Sequence, residues 1–314
     1  MPDLRVAVSN KKILYTIFFL ILFLCILTNS QISLYYAFSG LELWYTKMIP
    51  VLLPFMILSG IMIRFHLTES FITLLYPILN TFFHISKNAC YVILMGFLCG
   101  FPMGAKIIAE LFLLQKLNKR EAEYLLAFCN NIGPVYFCGF VLPLLHKSLT
   151  LPYILGMYGI PFLYGIILRY TVYRDITYKH QNSNEYRSIE KNLLYEMDSA
   201  INSGIQSILS LGGYMILFNL INLLPHIILG NPPVLLAPLF EITGGIQLLK
   251  HRFPLYTLLL LPFGGLSCLA QTYSCIKNTT LSIAGYTLHK LLLTLLTIVY
   301  YFLWFLGSPS SFLK

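Results

Sequence analysis

Residues 128–137 read FCNNIGPVYF. Two adjacent carboxamides, Asn130 and Asn131, stand just before Gly133 and Pro134 inside a stretch, 124 to 146, that is otherwise apolar enough for a membrane. Neighbouring side chains on a helix do not share a face, and the proline behind them lacks the N–H that would continue one. The stretch reads as an unwound turn at membrane depth that offers side-chain and backbone groups to a ligand or ion. A satisfied helix cap inside the bundle is the alternative. Irregular backbone survives in a bilayer only where protein or a water-filled cavity satisfies its N–H and C=O groups, so each interruption of an apolar segment marks a place to look for a site.

The surrounding chain suits that setting. Of its 314 residues, 57% are hydrophobic and 11% charged, where a soluble domain carries about 25% charged residues. Full-length apolar runs lie near 13–29, 44–63, 151–169, 198–224 and 281–306, each close to the roughly 20 residues of one helical crossing. The first run follows Arg5, Lys11 and Lys12, lacks a convincing small-x-small cleavage site and is followed by many further spans, which favours an uncleaved first helix over a signal peptide. Shorter or interrupted apolar segments fall at 89–104, 124–146, 232–249 and 255–276. The formal net charge is +9, but the Lys and Arg sit in short polar gaps between runs. That is the pattern of cytoplasmic loops of a multi-pass cell-membrane protein, not of a nucleic-acid-binding face. The seven cysteines include no C-x-x-C and lie mostly in apolar runs, which argues against a disulfide framework and a zinc site. There is no H-E-x-x-H, G-x-S-x-G or Walker loop and no histidine pair at metal spacing, so the expectation is a protein that is no enzyme and has neither metal nor cofactor.

The one long polar stretch, 174–192, carries Arg174, Lys179, Arg187 and Lys191. Its basic excess assigns it to the cytoplasm, together with the N-terminus. It divides the chain into 1–43, an extra transmembrane helix and connector, a first unit at 44–173 and a second at 193–314. Each unit runs span, glycine-bearing polar segment, second such segment, span. The segments are GFPMGAK (100–106) and CNNIGP (129–134) in the first, EITGG (241–245) and FGGLSCLAQ (263–271) in the second. With the first helix running outward, one unit begins outside and the other inside, so the two are inverted, as in many secondary transporters. The expected fold is an all-α polytopic membrane protein with two inverted repeats, re-entrant hairpins and broken transmembrane helices.

Gly96, Gly100 and Gly104 recur every four residues, as on a small-residue helix face, with Pro102 cutting across it. Lys106 has three readings: pairing with Glu110 one turn on, snorkelling to an interface, or a fixed positive charge facing an anionic substrate. Glu241, before Thr243, Gly244 and Gly245, is an intramembrane carboxylate that needs a partner or a purpose. It reads as a partner for Lys106, a proton carrier, or a cap on a short helix. Ser267 and Gln271, one turn apart after Gly264 and Gly265, would share a face at the start of a half-helix. Tyr136 and Phe137 offer rings on which a planar substrate would stack.

The segments GFPMGAK, AFCNNIGP, FEITGG and FGGLSCLAQ closely resemble, in the same order, the motifs of sporulation integral membrane proteins of the YlbJ type, which carry a nucleoside-recognition (Gate) domain. The resemblance runs from about Trp44 to about Trp304. It implies a fold related to concentrative nucleoside transporters and a role in passing dipicolinic acid into the developing spore, in a forespore membrane. Carried over position by position, the implied substrate-binding residues are Lys106, Asn130, Asn131, Glu241, Thr243, Ser267 and Gln271. The implied backbone hinges are Gly100, Pro102, Gly104, Gly133, Pro134, Gly245, Gly264 and Gly265. Transport of an aromatic carboxylate, ion-coupled nucleoside transport and a non-transporting envelope scaffold remain open as functions. A proton or sodium coupling ion and an oligomer are both compatible with the sequence.

Overall fold

The computed structural model describes residues 3–145, 147, 149–176 and 193–307. Among them every regular element is a helix and there is no strand. Six helices are long and apolar enough to cross a membrane: Lys11–Thr28, Ser30–Arg64, Leu151–Tyr170, Leu193–Leu229, Pro254–Ile276 and Ile283–Gly307. A seventh candidate, Tyr76–Phe83 with Lys87–Cys99, is bent by 97° at its break. In the Lys11–Thr28 span Leu14, Phe19, Phe23 and Leu27 are all exposed. A helix apolar all round with so little buried has lipid as its solvent. The protein is a multi-pass membrane protein.

Two boundaries differ from the sequence reading. The span expected near 44 begins at Ser30: Ser30–Leu43 is helical and runs through a π-helical turn at Trp44–Met48 into Ile49–Arg64. Its glycine, Gly40, stays helical because it packs against the backbone of Met215 and Ile216, so the connector continues the helix. The glycine stripe is no single helix face. The helix ends at Cys99, and Gly100 takes φ +82° and ψ −165°, a region open essentially to glycine alone. Gly96 and Gly104 lie on successive helices, and a Cβ on either would meet the carbonyl of Cys129. Close backbone crossing, not helix dimerisation, is what those glycines serve. Most of the polar stretch, residues 177–192 with Lys179, Arg187 and Lys191, lies outside the described residues, as does the end of the second unit after residue 307.

Each half presents the same order of parts. In the first, Ser30–Arg64 is followed by two short helices without a counterpart in the second half (Thr68–Ile72 and Tyr76–Phe83), then by a helical hairpin (Lys87–Cys99 and Met103–Leu113), a broken span (Lys119–Phe128 and Pro134–Leu144) and Leu151–Tyr170. In the second, Leu193–Leu229 is followed by a shorter hairpin (Ala237–Phe240 and Ile242–Leu249), a broken span (Pro254–Leu260 and Gly265–Ile276) and Ile283–Gly307. The two long opening helices pack against each other along most of their length, and Met103–Leu113 lies on Gly265–Ile276. A buried Arg169 ties the first half together, donating to the carbonyls of Phe83, His84, Tyr173 and Ile176 at 2.7–3.2 Å. Four carbonyls around one guanidinium satisfy helix ends that a membrane interior leaves without water.

Candidate functional site

Four breaks converge on the middle of the bundle, and local sequence explains each. The first is the tip of the first hairpin, Gly100 to Pro102. The second helix of that hairpin starts at Met103 because Pro102 cannot donate into the preceding turn. Since Gly100 has no Cβ, the tip lies directly against the backbone of Gly133 in the second break.

The second break spans residues 129–133, between the helix Lys119–Phe128 and Pro134 at the start of the next. Its polar groups are buried: Asn130 is 1% and Asn131 4% exposed. Asn130 is a hub. Its Nδ2 donates to Thr272 Oγ1 at 2.9 Å and to Tyr286 Oη at 3.0 Å, while its Oδ1 accepts from Ala105 N at 3.4 Å. Asn131 donates from Nδ2 to the carbonyl of Phe128. Lys290 Nζ, from the last helix, donates to Asn130 O at 2.6 Å and to Asn131 Oδ1 at 3.3 Å. The same ammonium lies 4.2 Å from the centroid of the Phe101 ring. Orphan carbonyls of the unwound turn thereby find donors without water.

The third break is Glu241 itself, extended at φ −136° and ψ 116°, between Ala237–Phe240 and Ile242–Leu249. Its carboxylate caps the following helix, accepting from Thr243 N at 3.2 Å and Gly244 N at 2.6 Å, and also from Asn219 Nδ2 at 3.1 Å. Of the three sequence readings of Glu241, the geometry matches the cap. The fourth break, Leu261 to Gly264, turns through the positive φ of Gly264 and Gly265 into Gly265–Ile276. There Gln271 Nε2 donates to Ser267 Oγ at 2.9 Å, on the shared face the spacing implies.

Three of the breaks, and the helix that follows the fourth, line one central cavity of about 180 Å³. Cys99 and Phe101 from the first, Ile132 and Gly133 from the second, Glu241 and Thr243 from the third, and Cys268 and Gln271 after the fourth line it. Tyr136 and Phe140 add two rings 5.1 Å apart, and Tyr136 Oη donates to Thr243 Oγ1 at 3.3 Å. Lys47 stands on the same wall. Phe137 is turned away, packed against Tyr153 and Tyr158.

A second cavity, about 330 Å³, adjoins it and has a different character. Ser203, Gln206, Ser207, Ser210 and Tyr214 line it from one face of the Leu193–Ile221 helix, opposite Lys106, Glu110 and Lys277. Lys106 Nζ donates to Ser207 Oγ at 2.8 Å and to Ser203 O at 3.1 Å, and sits 3.6 Å from Glu110 Oε1. Lys106 therefore does not pair with Glu241. Its own helix supplies the carboxylate one turn on, which costs the chain less ordering than reaching a group already satisfied by three donors. Leu211 and Gln271 line both cavities, and the hairpin tip divides between them, Phe101 on the central side and Pro102 on the other. Phe101–Pro102, Leu211 and Gln271, from three different elements, thus form the wall common to the two chambers.

The structure brings Glu241, Thr243 and Gln271 to the central cavity and Lys106 and Gln271 to the second. Asn130, Asn131 and Ser267 stand behind these walls, buried and hydrogen-bonded to protein. Sequence reading missed Lys290, Tyr286, Thr272 and Asn219. Only Lys290 carries a local signal, a charge inside the apolar run LHKLLLTLL at 288–296.

Comparison with known proteins agrees with the motifs. Residues 45–160 match the Gate family model, described as nucleoside recognition. That region holds the first hairpin tip and the Asn130–Asn131 break. The chain is 25% identical over 326 residues to the sporulation integral membrane protein YlbJ of Bacillus subtilis (strain 168), covering 90% of this chain and 80% of that protein. No solved structure matches. The resemblance to YlbJ-type sporulation membrane proteins thus extends over nearly the whole chain, with the Gate match confined to the first half.

Proposed function

We propose that this protein is a transporter of small planar anions, with dipicolinate as the leading substrate, and that it has no enzymatic activity. The observation that carries the reading is the cavity lined by three helix breaks and by the helix after the fourth. Interrupted backbone at membrane depth needs protein or a water-filled cavity to satisfy it, and transporters build their sites from such breaks; here two chambers share Leu211 and Gln271 as a common wall. Alternating access then amounts to opening that wall toward one chamber while the other closes. Phe101, Tyr136 and Phe140 offer ring faces to an aromatic solute, while Lys47 on one side and Lys106 with Lys277 on the other attract carboxylates. Glu241 does not repel such a solute strongly, because three donors already face its charge. The sporulation role in the relative's name favours a spore solute. A forespore membrane is the corresponding location.

Nucleoside transport is the second reading, favoured by the description of the matching family model. Uptake of labelled dipicolinate into liposomes containing the purified protein separates the two. Saturable uptake competed by unlabelled dipicolinate and indifferent to uridine and adenosine is expected. Uptake of labelled uridine with none of dipicolinate would transfer the site to nucleosides, and uptake of neither by folded protein would remove the transporter reading.

A further inference from the structure

The last helix places a buried lysine amino group where the rest of the bundle supplies only neutral oxygens. Lys290 is 1% exposed, and among the described residues no carboxylate lies within 4.0 Å of its ammonium. Its partners are a backbone carbonyl from unwound chain (Asn130 O, 2.6 Å), an amide oxygen (Asn131 Oδ1, 3.3 Å) and the face of an aromatic ring (Phe101, 4.2 Å). Carbonyl and amide oxygens released by a helix break, with a π face beside them, are what a monovalent cation asks for, and discontinuous helices use such oxygens to hold coupling ions. The amide orientation is consistent with a cation: Asn131 turns its Nδ2 toward the carbonyl of Phe128, leaving Oδ1 for the ammonium. Asn130 likewise directs its Nδ2 to Thr272 and Tyr286, so that its carbonyl alone faces Lys290. A site built to bind a carboxylate or phosphate would present donors; this one presents acceptors.

We infer that Lys290 is a tethered cation, occupying the position between the Asn130–Asn131 turn and Phe101 that a sodium or potassium ion would otherwise take. The position is permanently filled, and it is filled by the chain. The amino group joins the first hairpin tip, the Asn130–Asn131 turn and the last helix at one point, so the oxygen cluster has its acceptors satisfied without an ion from solution. For transport the consequence, which rests on the transporter reading above, is that substrate movement draws on no sodium bound at this break.

The test needs no transport assay, so it fails or succeeds independently of that reading. The full-length protein in detergent is heated in sodium chloride and in N-methyl-D-glucamine chloride at equal ionic strength. The wild type should melt at the same midpoint in both. Lys290→Ala should melt lower in N-methyl-D-glucamine and climb with the logarithm of sodium concentration, as binding to a vacated site on the folded state requires. Lys290→Met, whose stem fills the space, should melt lower with no response to sodium. A wild type stabilised by sodium over N-methyl-D-glucamine would overturn the inference, whether or not Lys290→Ala can be recovered folded. So would a folded Lys290→Ala that ignores sodium. Lys290→Gln is the milder variant if the alanine form does not fold, with the same two outcomes read from its sodium response.

Discussion

The two halves stabilise their breaks in opposite ways. In the second half, Glu241 accepts from the N–H groups of Thr243 and Gly244, two and three residues on, with Asn219 of the preceding long helix as its one distant donor. In the first half, the Asn130–Asn131 turn is held by groups from far along the chain. Thr272, Tyr286 and Lys290 are 142, 156 and 160 residues from Asn130, and Ala105 belongs to the hairpin before it. A self-capped break carries its satisfaction with it and is free to shift as a unit. A break satisfied from outside is pinned, and any shift must break several buried hydrogen bonds together. The comparison assigns the Asn130–Asn131 turn to the fixed frame and the Glu241 hairpin to the part that moves.

That assignment predicts graded effects. The largest belongs to Asn130→Ala, which removes three buried hydrogen bonds at once. At about 1 kcal/mol each, the loss is about 3 kcal/mol of stability, read as a lower thermal midpoint of the purified protein with uptake falling in parallel. Glu241→Gln should cost less, about 1 kcal/mol, because an amide oxygen still accepts from the helix N-terminus and the buried charge disappears with its desolvation cost. Its uptake should fall by more than its stability explains if the hairpin moves; equal losses in both would place Glu241 in the frame beside Asn130. Lys106→Met should also cost stability, by about 1–3 kcal/mol, because a buried ammonium gives up its hydrogen bonds to Ser203 and Ser207 and its pairing with Glu110. Uptake of an anionic solute should drop by more than that loss of stability explains. A fall in uptake no larger than the loss of folded protein would make Lys106 a structural residue.

The same contrast explains what the sequence discloses. Breaks at Gly100, Asn130–Asn131, Glu241 and Gly264 are legible because Gly, Pro, amides and a carboxylate in apolar runs have local physical reasons to interrupt a helix. The self-capped Glu241 is legible as a cap for the same reason, as is the Lys106–Glu110 pair at helical spacing. Thr272, Tyr286 and Asn219 are not legible, since they sit inside regular helices and matter only through partners brought to them by the fold. The small separation of the two chambers is hidden for a related reason: no local pattern states that Phe101, Leu211 and Gln271 meet. Helix continuity through 30–43 is hidden for the same reason, since Gly40 is kept in the helix by packing on the Leu193–Ile221 helix, a contact that no local pattern states.

In the proposed function, solute crosses through the central cavity lined by three of the breaks and by the helix after the fourth. Gly139 lines that cavity, and a Cβ built on it meets no atom within 4 Å, so a large side chain at this position of the cavity wall displaces no backbone. The decisive measurement is dipicolinate uptake by liposomes carrying Gly139→Trp beside wild-type protein, with thermal midpoints taken on the same preparations. Loss of uptake at an unchanged midpoint is the predicted result. Uptake at the wild-type rate through folded Gly139→Trp would contradict the account and send the solute by another route.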